Sequence, residues 1–268
     1  MSSAPSLRLS PAPQQGTREY ADVDRAQLPP DVAGAGASIG AEQADATTSS
    51  PTASAVDAYL NSKILHPSFG ADESLARGLQ RADEEGLPRI AVSPQQGQFL
   101  SVLAKSIGAE RILEIGTLGG YSTSFLAKAL PFHGRIDTLE LEPKHAKVAQ
   151  ANFLDSDLYP FPQIIIGLAL QSLKKLSQPE EGAYDLVFID ANKDQILEYF
   201  LEALRLTRTG GVIVVDNAIR QGKIILENNT NEDINVSGLR KLYDWVEKDQ
   251  GKTVLMSAIQ TVGGKSWE

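Results

Sequence analysis

Six short apolar runs, each followed by a segment of helix length, constrain this chain more than any other feature. The runs are RILEIG, RIDTLEL, QIIIG, YDLVFID, GVIVVD and TVLMSAIQ. Between them lie YSTSFLAKAL, PKHAKVAQANFL, ALQSLKKL, QILEYFLEALRLT and GLRKLYDWVEKD, which read as helices. Strands separated by helices cannot close as hairpins, so they pair side by side as βαβ units. The predicted fold class is therefore α/β, Rossmann-like and doubly wound, with a mainly parallel sheet. Val212 to Val215 are four β-branched residues in a row and read as a strand buried on both faces. Upstream, SPQQGQFLSVLAKSIG opens on a Ser-Pro helix start. Its spacing predicts one apolar face carrying Phe99, Leu100, Leu103 and Ile107.

Residues 1–53 are different. SSAPSLRLSPAPQQG and GAGASIGAEQADATTSSPTASA are rich in Ser, Ala, Pro and Gly and lack aliphatic periodicity. Such a segment buries too little to offset its ordering entropy, so a disordered tail is expected before a folded domain at 54–268. A transit peptide is the alternative, but Glu19, Asp22, Asp24 and Asp31 are acids that such peptides avoid. The net charge of -9 argues against a nucleic-acid surface. No apolar run approaches the ~20 residues of a membrane span, and no signal peptide opens the chain. A soluble, cytoplasmic protein is the default expectation. The chain has no cysteine, which excludes disulfides and thiolate chemistry. With three histidines, any metal would be held mainly by oxygen.

Parallel sheets bind ligands beyond the carboxyl ends of their strands. The polar residues there are Glu114, Glu140, Asp190, Asp216 and Asn217. In LEIGTLGGYS, Gly116, Gly119 and Gly120 allow a sharp turn and close approach of a ligand. The dinucleotide pattern G-x-G-x-x-G is not met, because Leu118 occupies the second glycine position. Glu114 would oppose a pyrophosphate and suits a cationic or ammonium group. Glu140, at the end of the second strand, is placed to accept from the two hydroxyls of a ribose. A plain βα turn and a solvated strand-end charge are the structural alternatives.

Asp190 ends the fourth run, and Asp216 and Asn217 end the fifth. If those strands are neighbours, two carboxylates and an amide converge, and crowded carboxylates need a cation or a proton between them. Mg²⁺ or a similar divalent cation fits all-oxygen ligation. Three separate polar termini capping their own turns are the alternative. Lys193, three residues after Asp190, can reach the same cleft as a base toward a hydroxyl, or be a surface lysine at a helix start.

Taken in order, LEIGTLGGYS, FIDANK and GGVIVVDN resemble the cation-dependent, S-adenosylmethionine-dependent O-methyltransferases, the group with the caffeoyl-CoA and catechol types. IAVSPQQGQFL, LELEP, GLAL and QTVGGKSW are similar to it too. The resemblance runs from about Val56 to the C-terminus. It implies a class I methyltransferase sheet with S-adenosylmethionine (SAM) across the strand ends, and a homodimer. By motif, Glu114, Gly116, Thr117 and Ser122 would contact the methionine side and the loop, Val92 would sit near the methionine moiety, and Glu140 would hold the ribose. Ala169 would line the adenine pocket. Asp190, Asp216 and Asn217 would be metal ligands, with Asp190 shared between cofactor and reaction centre, and Lys193 the base. The acceptor implied is a small phenolic or catechol-like diol. Its specificity is expected in AIRQGKIILENNTNEDINVSG and the segment before Val92, the acidic ENNTNEDIN run being a solvated loop.

Three departures from the family pattern stand out. Asn192 replaces the usual Asp, and Ile196 stands where many members have an aromatic, which touches fine geometry or the substrate wall. Family members also continue past this region with an apolar segment that forms the last strand, while this chain stops at Trp267-Glu268. The sheet is therefore expected to lack its last strand. That motivates a second reading, a cofactor-binding but catalytically weak paralogue or partner subunit. A NAD-dependent oxidoreductase is a third, disfavoured by the missing fingerprint.

Overall fold

Strand β1 (Arg111–Ile115) lies at the centre of a five-stranded parallel sheet. The computed structural model of the protein describes residues 52–176, 183–226 and 233–261. Of the tail expected over 1–53, residues 1–51 lie outside them, as do most of the ENNTNEDIN run and most of the QTVGGKSW segment, while Thr52 caps a helix that begins at Ala53. The other strands are β2 (Arg135–Glu140), β3 (Gln163–Ile166), β4 (Tyr184–Ile189) and β5 (Thr207–Val215), in the order β3-β2-β1-β4-β5. Every pairing is parallel. The order reverses at β1, between β2 and β4, which opens the crevice where such sheets bind ligands.

Helices cover both faces. Short α1 (Ala53–Ile64), α2 (Pro67–Gly70) and α3 (Glu73–Glu84) precede α4 (Pro94–Ser106). Helix α4 starts as expected, with Pro94 in its first turn and a reciprocal capping box between Ser93 and Gln96. Then come α5 (Tyr121–Ala127), α6 (Pro143–Asp155), α7 (Ala169–Lys175), α8 (Ile196–Leu206) and α9 (Ile234–Asp249). The period-2 alternation of β1 divides the core. Ile112 packs with Leu100 of α4, Leu126 of α5 and Phe153 of α6. Leu113 and Ile115 face the other way, with Leu173 of α7, Phe200 of α8 and Leu239 of α9.

Three expectations need correction. Phe99 is 56% exposed, so the buried face of α4 runs through Leu100 and Ala104 instead. Strand β5 is half-buried along Val212–Val215, because β4 is its one neighbour among the described residues. TVLMSAIQ is not a strand. A strand exists through its ladder, and this segment has no partner for one among the described residues. Val254 and Met256 pack on the α8 and α9 side while Leu255 is fully exposed. A groove of about 600 Å³ lies between the segment and Ile213 and Val215 of β5.

Helix α9 holds the turn after β4 in place. At Gly238 a Cβ would collide with the Lys193 carbonyl, and Asn235 Oδ1 accepts from Lys193 N at 3.1 Å. Alanine in a helix normally gains about 1 kcal/mol over glycine. Here Gly238→Ala should instead cost roughly 1–3 kcal/mol by overpacking. Urea unfolding monitored by circular dichroism should show the lowered midpoint, and an unchanged or raised midpoint would contradict this packing.

Candidate active site

The glycine loop is built on two carboxylates. Glu114, paired with Thr138 across β1 and β2, is wholly buried. It accepts from Ser122 Oγ at 2.6 Å and Thr138 Oγ1 at 2.6 Å, and also from Thr123. Thr117 Oγ1 meets Thr138 Oγ1 at 2.5 Å, extending this network into the loop. Burial pushes the Glu114 carboxyl up to about 7, against the opposing pull of its three hydroxyl donors. Glu140 Oε2 accepts from the amides of Thr117 (3.2 Å) and Leu118 (2.7 Å), while Oε1 accepts from Glu142 N at 2.9 Å. Gly116 has φ +103°, and a Cβ there would strike the Asp190 carbonyl oxygen. Only glycine lets β1 leave the sheet this close to the end of β4.

Asn152 of α6 braces the loop from behind. Its Nδ2 donates to Gly119 O (2.9 Å) and Gly78 O (3.2 Å), and Arg81 donates to its Oδ1. The loop is thereby tied to α3.

A cleft of about 790 Å³ runs over the strand ends. Val92, Gly116, Thr117, Ser122, Glu140 and Ala169 line one part, and Asp190, Lys193 and Asn217 the other. Nine of the eleven residues singled out from sequence thus share one cavity. Glu114 does not line it and sits beneath the loop, supporting Ser122. Asp216 does not line it either, although its N–H donates to Ile189 O at 3.1 Å and so puts it beside Asp190. Glu140 spends much of its capacity on loop amides, yet a carboxylate has about four acceptor sites and this one still borders the cleft.

Asp190 Oδ1 lies 3.2 Å from Lys193 Nζ, whose side chain is 4% exposed. Asp216 Oδ1 accepts from Asn217 N at 2.8 Å. Asn217 adopts φ +52°, a left-handed conformation that asparagine tolerates better than most residues. Among the described residues no group of three His, Cys, Asp or Glu is gathered to hold a metal. A cation at these strand ends would therefore need the Asn217 amide as its third ligand. Two carboxylates and an amide are a hard, all-oxygen donor set of the kind a divalent cation takes.

Cleft residues not foreseen include His145, whose Nδ1 is 3.4 Å from Glu140 Oε1, and Tyr199, whose hydroxyl donates to Asn192 Oδ1 at 2.7 Å. Arg220 and Asn235 also border it, both from the segment already marked for acceptor specificity. No sequence signal marked Tyr199, a position on an amphipathic helix that looks like core. Ile196 is fully buried and lines no substrate wall.

A parallel sheet with a glycine turn after β1, an acid ending β2 and polar ends on β4 and β5 defines a class I methyltransferase fold. Residues 68–262 match the O-methyltransferase family model. The catechol O-methyltransferase of Mycobacterium tuberculosis is 44% identical over 213 residues, 80% of this chain and 91% of that protein. The solved O-methyltransferase from Bacillus cereus in complex with SAH superposes with TM-score 0.74 at 40% identity, covering 80% of this chain and 94% of that one. TomG from Streptomyces achromogenes, an O-methyltransferase solved with SAM, gives TM-score 0.72 at 37% identity over 80% and 93%. The chain belongs to the SAM-dependent O-methyltransferase family. No helix among the described residues is long and apolar enough to cross a membrane.

The buried Glu114 makes stability depend on pH. Its folded value of about 7 lies above the ordinary 4.5, so the folded state keeps a proton that the unfolded chain releases. This group is without penalty at low pH, and stability is lost as pH rises from 4.5 through about 7. Glu114→Gln should gain on the wild type by roughly 2–3 kcal/mol between about pH 5 and pH 8.5. Chemical denaturation of both proteins across that range measures the difference, and parallel curves would refute it.

Proposed function

We propose that the protein transfers the SAM methyl group to one hydroxyl of a catechol-like diol, assisted by a divalent cation. The observation that carries this is the single cleft. Gly116, Glu140 and Ala169 line it beside Asp190, Lys193 and Asn217, so donor and acceptor groups have one place to meet. The catechol O-methyltransferase relative at 44% identity supports the acceptor class.

The chain's own residues would act as follows. The Thr117 and Leu118 backbone, fixed by Glu140, shapes the bed for the methionine moiety, with Val92 forming an apolar wall. Glu140 and His145 offer polar atoms to the ribose, and Ala169 borders the adenine. SAM supplies an electrophilic methyl on its sulfonium, which passes to the hydroxyl oxygen and leaves a thioether. Lys193 would take the hydroxyl proton, and its pairing with Asp190 keeps its Nζ at the cleft. Asp190, Asp216 and Asn217 would hold Mg²⁺ or a similar ion, which when bound neutralises the two carboxylates and acidifies an adjacent hydroxyl. Holding the hydroxyl in line with the donor accounts for much of the acceleration.

Turnover of catechol should therefore rise with added Mg²⁺ and collapse in EDTA. Asp216→Ala should cut the Mg²⁺-stimulated kcat by about a hundredfold or more, the scale of losing one preorganised electrostatic contact. SAM affinity by calorimetry should change little, since Asp216 does not line the cleft. Full magnesium-stimulated activity in Asp216→Ala would remove the cation from the mechanism. No SAM binding in any condition would remove the reading itself.

A further inference from the structure

Arg220 is a weakly paired charge at the acceptor end of the cleft. It borders the same cavity as Asp190, Lys193 and Asn217. Asp190 and Lys193 pair with each other, and Asn192, Asn217 and Asn235 are neutral amides. The Arg220 side chain is 31% exposed, and its one ion pair among the described residues is a long 3.5 Å contact from Nη2 to Asp233 Oδ2. Its buried Nε has no partner among the described residues. A guanidinium presents five donors in a planar fork suited to two parallel bonds with a carboxylate. Here the fork is mostly unused.

The backbone holds this arginine in an unusual way. Arg220 and Gln221 both have positive φ, +46° and +57°, and neither is glycine. Two successive left-handed residues cost on the order of 1 kcal/mol each and persist only where the surroundings impose them. The surroundings are visible. Ile219 is buried, Tyr243 Oη donates to Ala218 O at 2.5 Å, and Arg240 Nε donates to Ile224 O at 3.1 Å. Helix α9 thus clamps the turn on both sides of Arg220.

We propose that Arg220 selects acceptors that carry an anionic substituent, a carboxylate on the diol-bearing ring or its side chain. This rests on the catechol-methylating reading and narrows its substrate class. The hydroxyls lie toward Asp190 and Lys193, and the carboxylate lies toward Arg220.

The test compares 3,4-dihydroxybenzoate with its neutral methyl ester, each with SAM and Mg²⁺. The wild type should favour the carboxylate in kcat/KM by about ten- to a hundredfold, the scale of a charged hydrogen-bonded pair, chiefly through KM. Arg220→Gln should bring that ratio close to one, and Arg220→Lys should restore part of it. Equal efficiency toward both compounds in the wild type would overturn the proposal. So would an Arg220→Gln variant that loses activity on both by the same factor, which is what a purely structural role of the Asp233 pair predicts. If neither compound is methylated, the catechol reading fails instead. Calorimetry of 3,4-dihydroxybenzoate with wild type and Arg220→Gln then decides the contact by itself, equal affinity counting against it.

Discussion

A carboxylate with no exposed atom, Glu114, holds the cofactor half of this protein together. It sits on the central strand and takes hydroxyl hydrogen bonds from Thr138 of β2 and from the adjacent Ser122 and Thr123 in the first turn of α5. Glu114 before the glycine turn and its two α5 donors after it thus close the turn from both sides. A hydrophobic residue there would pack the strands equally well, but it would deprive the buried hydroxyls of Ser122 and Thr123 of their acceptor. The raised carboxyl value shows the cost of the arrangement, since burial outweighs three donors.

The second half of the site is joined to the first by close backbone approach. Gly116 passes against the Asp190 carbonyl, and Gly238 against the Lys193 carbonyl. Strand β1, the turn after β4 and helix α9 are therefore stacked with no side chain between them. Donor-side and acceptor-side residues cannot drift apart without opening these contacts. Asn152 does similar work behind the loop, where one amide ties Gly119 to α3.

The outer edge of the sheet is the least finished part of the described fold. Among the described residues strand β5, which carries Asp216 and Asn217 at its end, has one neighbour, and the apolar segment beyond α9 runs without a ladder. What secures the end of β5 is the clamp from α9 on residues 218–224 rather than a second strand. The same clamp positions Arg220, so the placement of this cleft residue and the stability of this edge are coupled.

Much of this was legible in the sequence because it depends on period and order. Alternating strands and helices determine a parallel sheet, and a parallel sheet puts Glu140, Asp190, Asp216 and Asn217 at one rim. Glycines in LEIGTLGGYS mark the sharp turn, and the motifs FIDANK and GGVIVVDN mark the family. Tertiary structure decided what local pattern cannot encode. Glu114 and Glu140 look alike as strand-end acids, yet one lies under the loop and the other borders the cleft, because successive residues of a strand face opposite layers and strands end at different depths. Phe99 fits the apolar face of its helix by spacing but is exposed, since burial depends on what stands opposite. TVLMSAIQ has the composition of a strand and is not one, because a strand is a property of two segments. Arg220 and Tyr199 joined the site only through the folding of α9 and α8 over the strand ends, contacts between residues far apart in the chain.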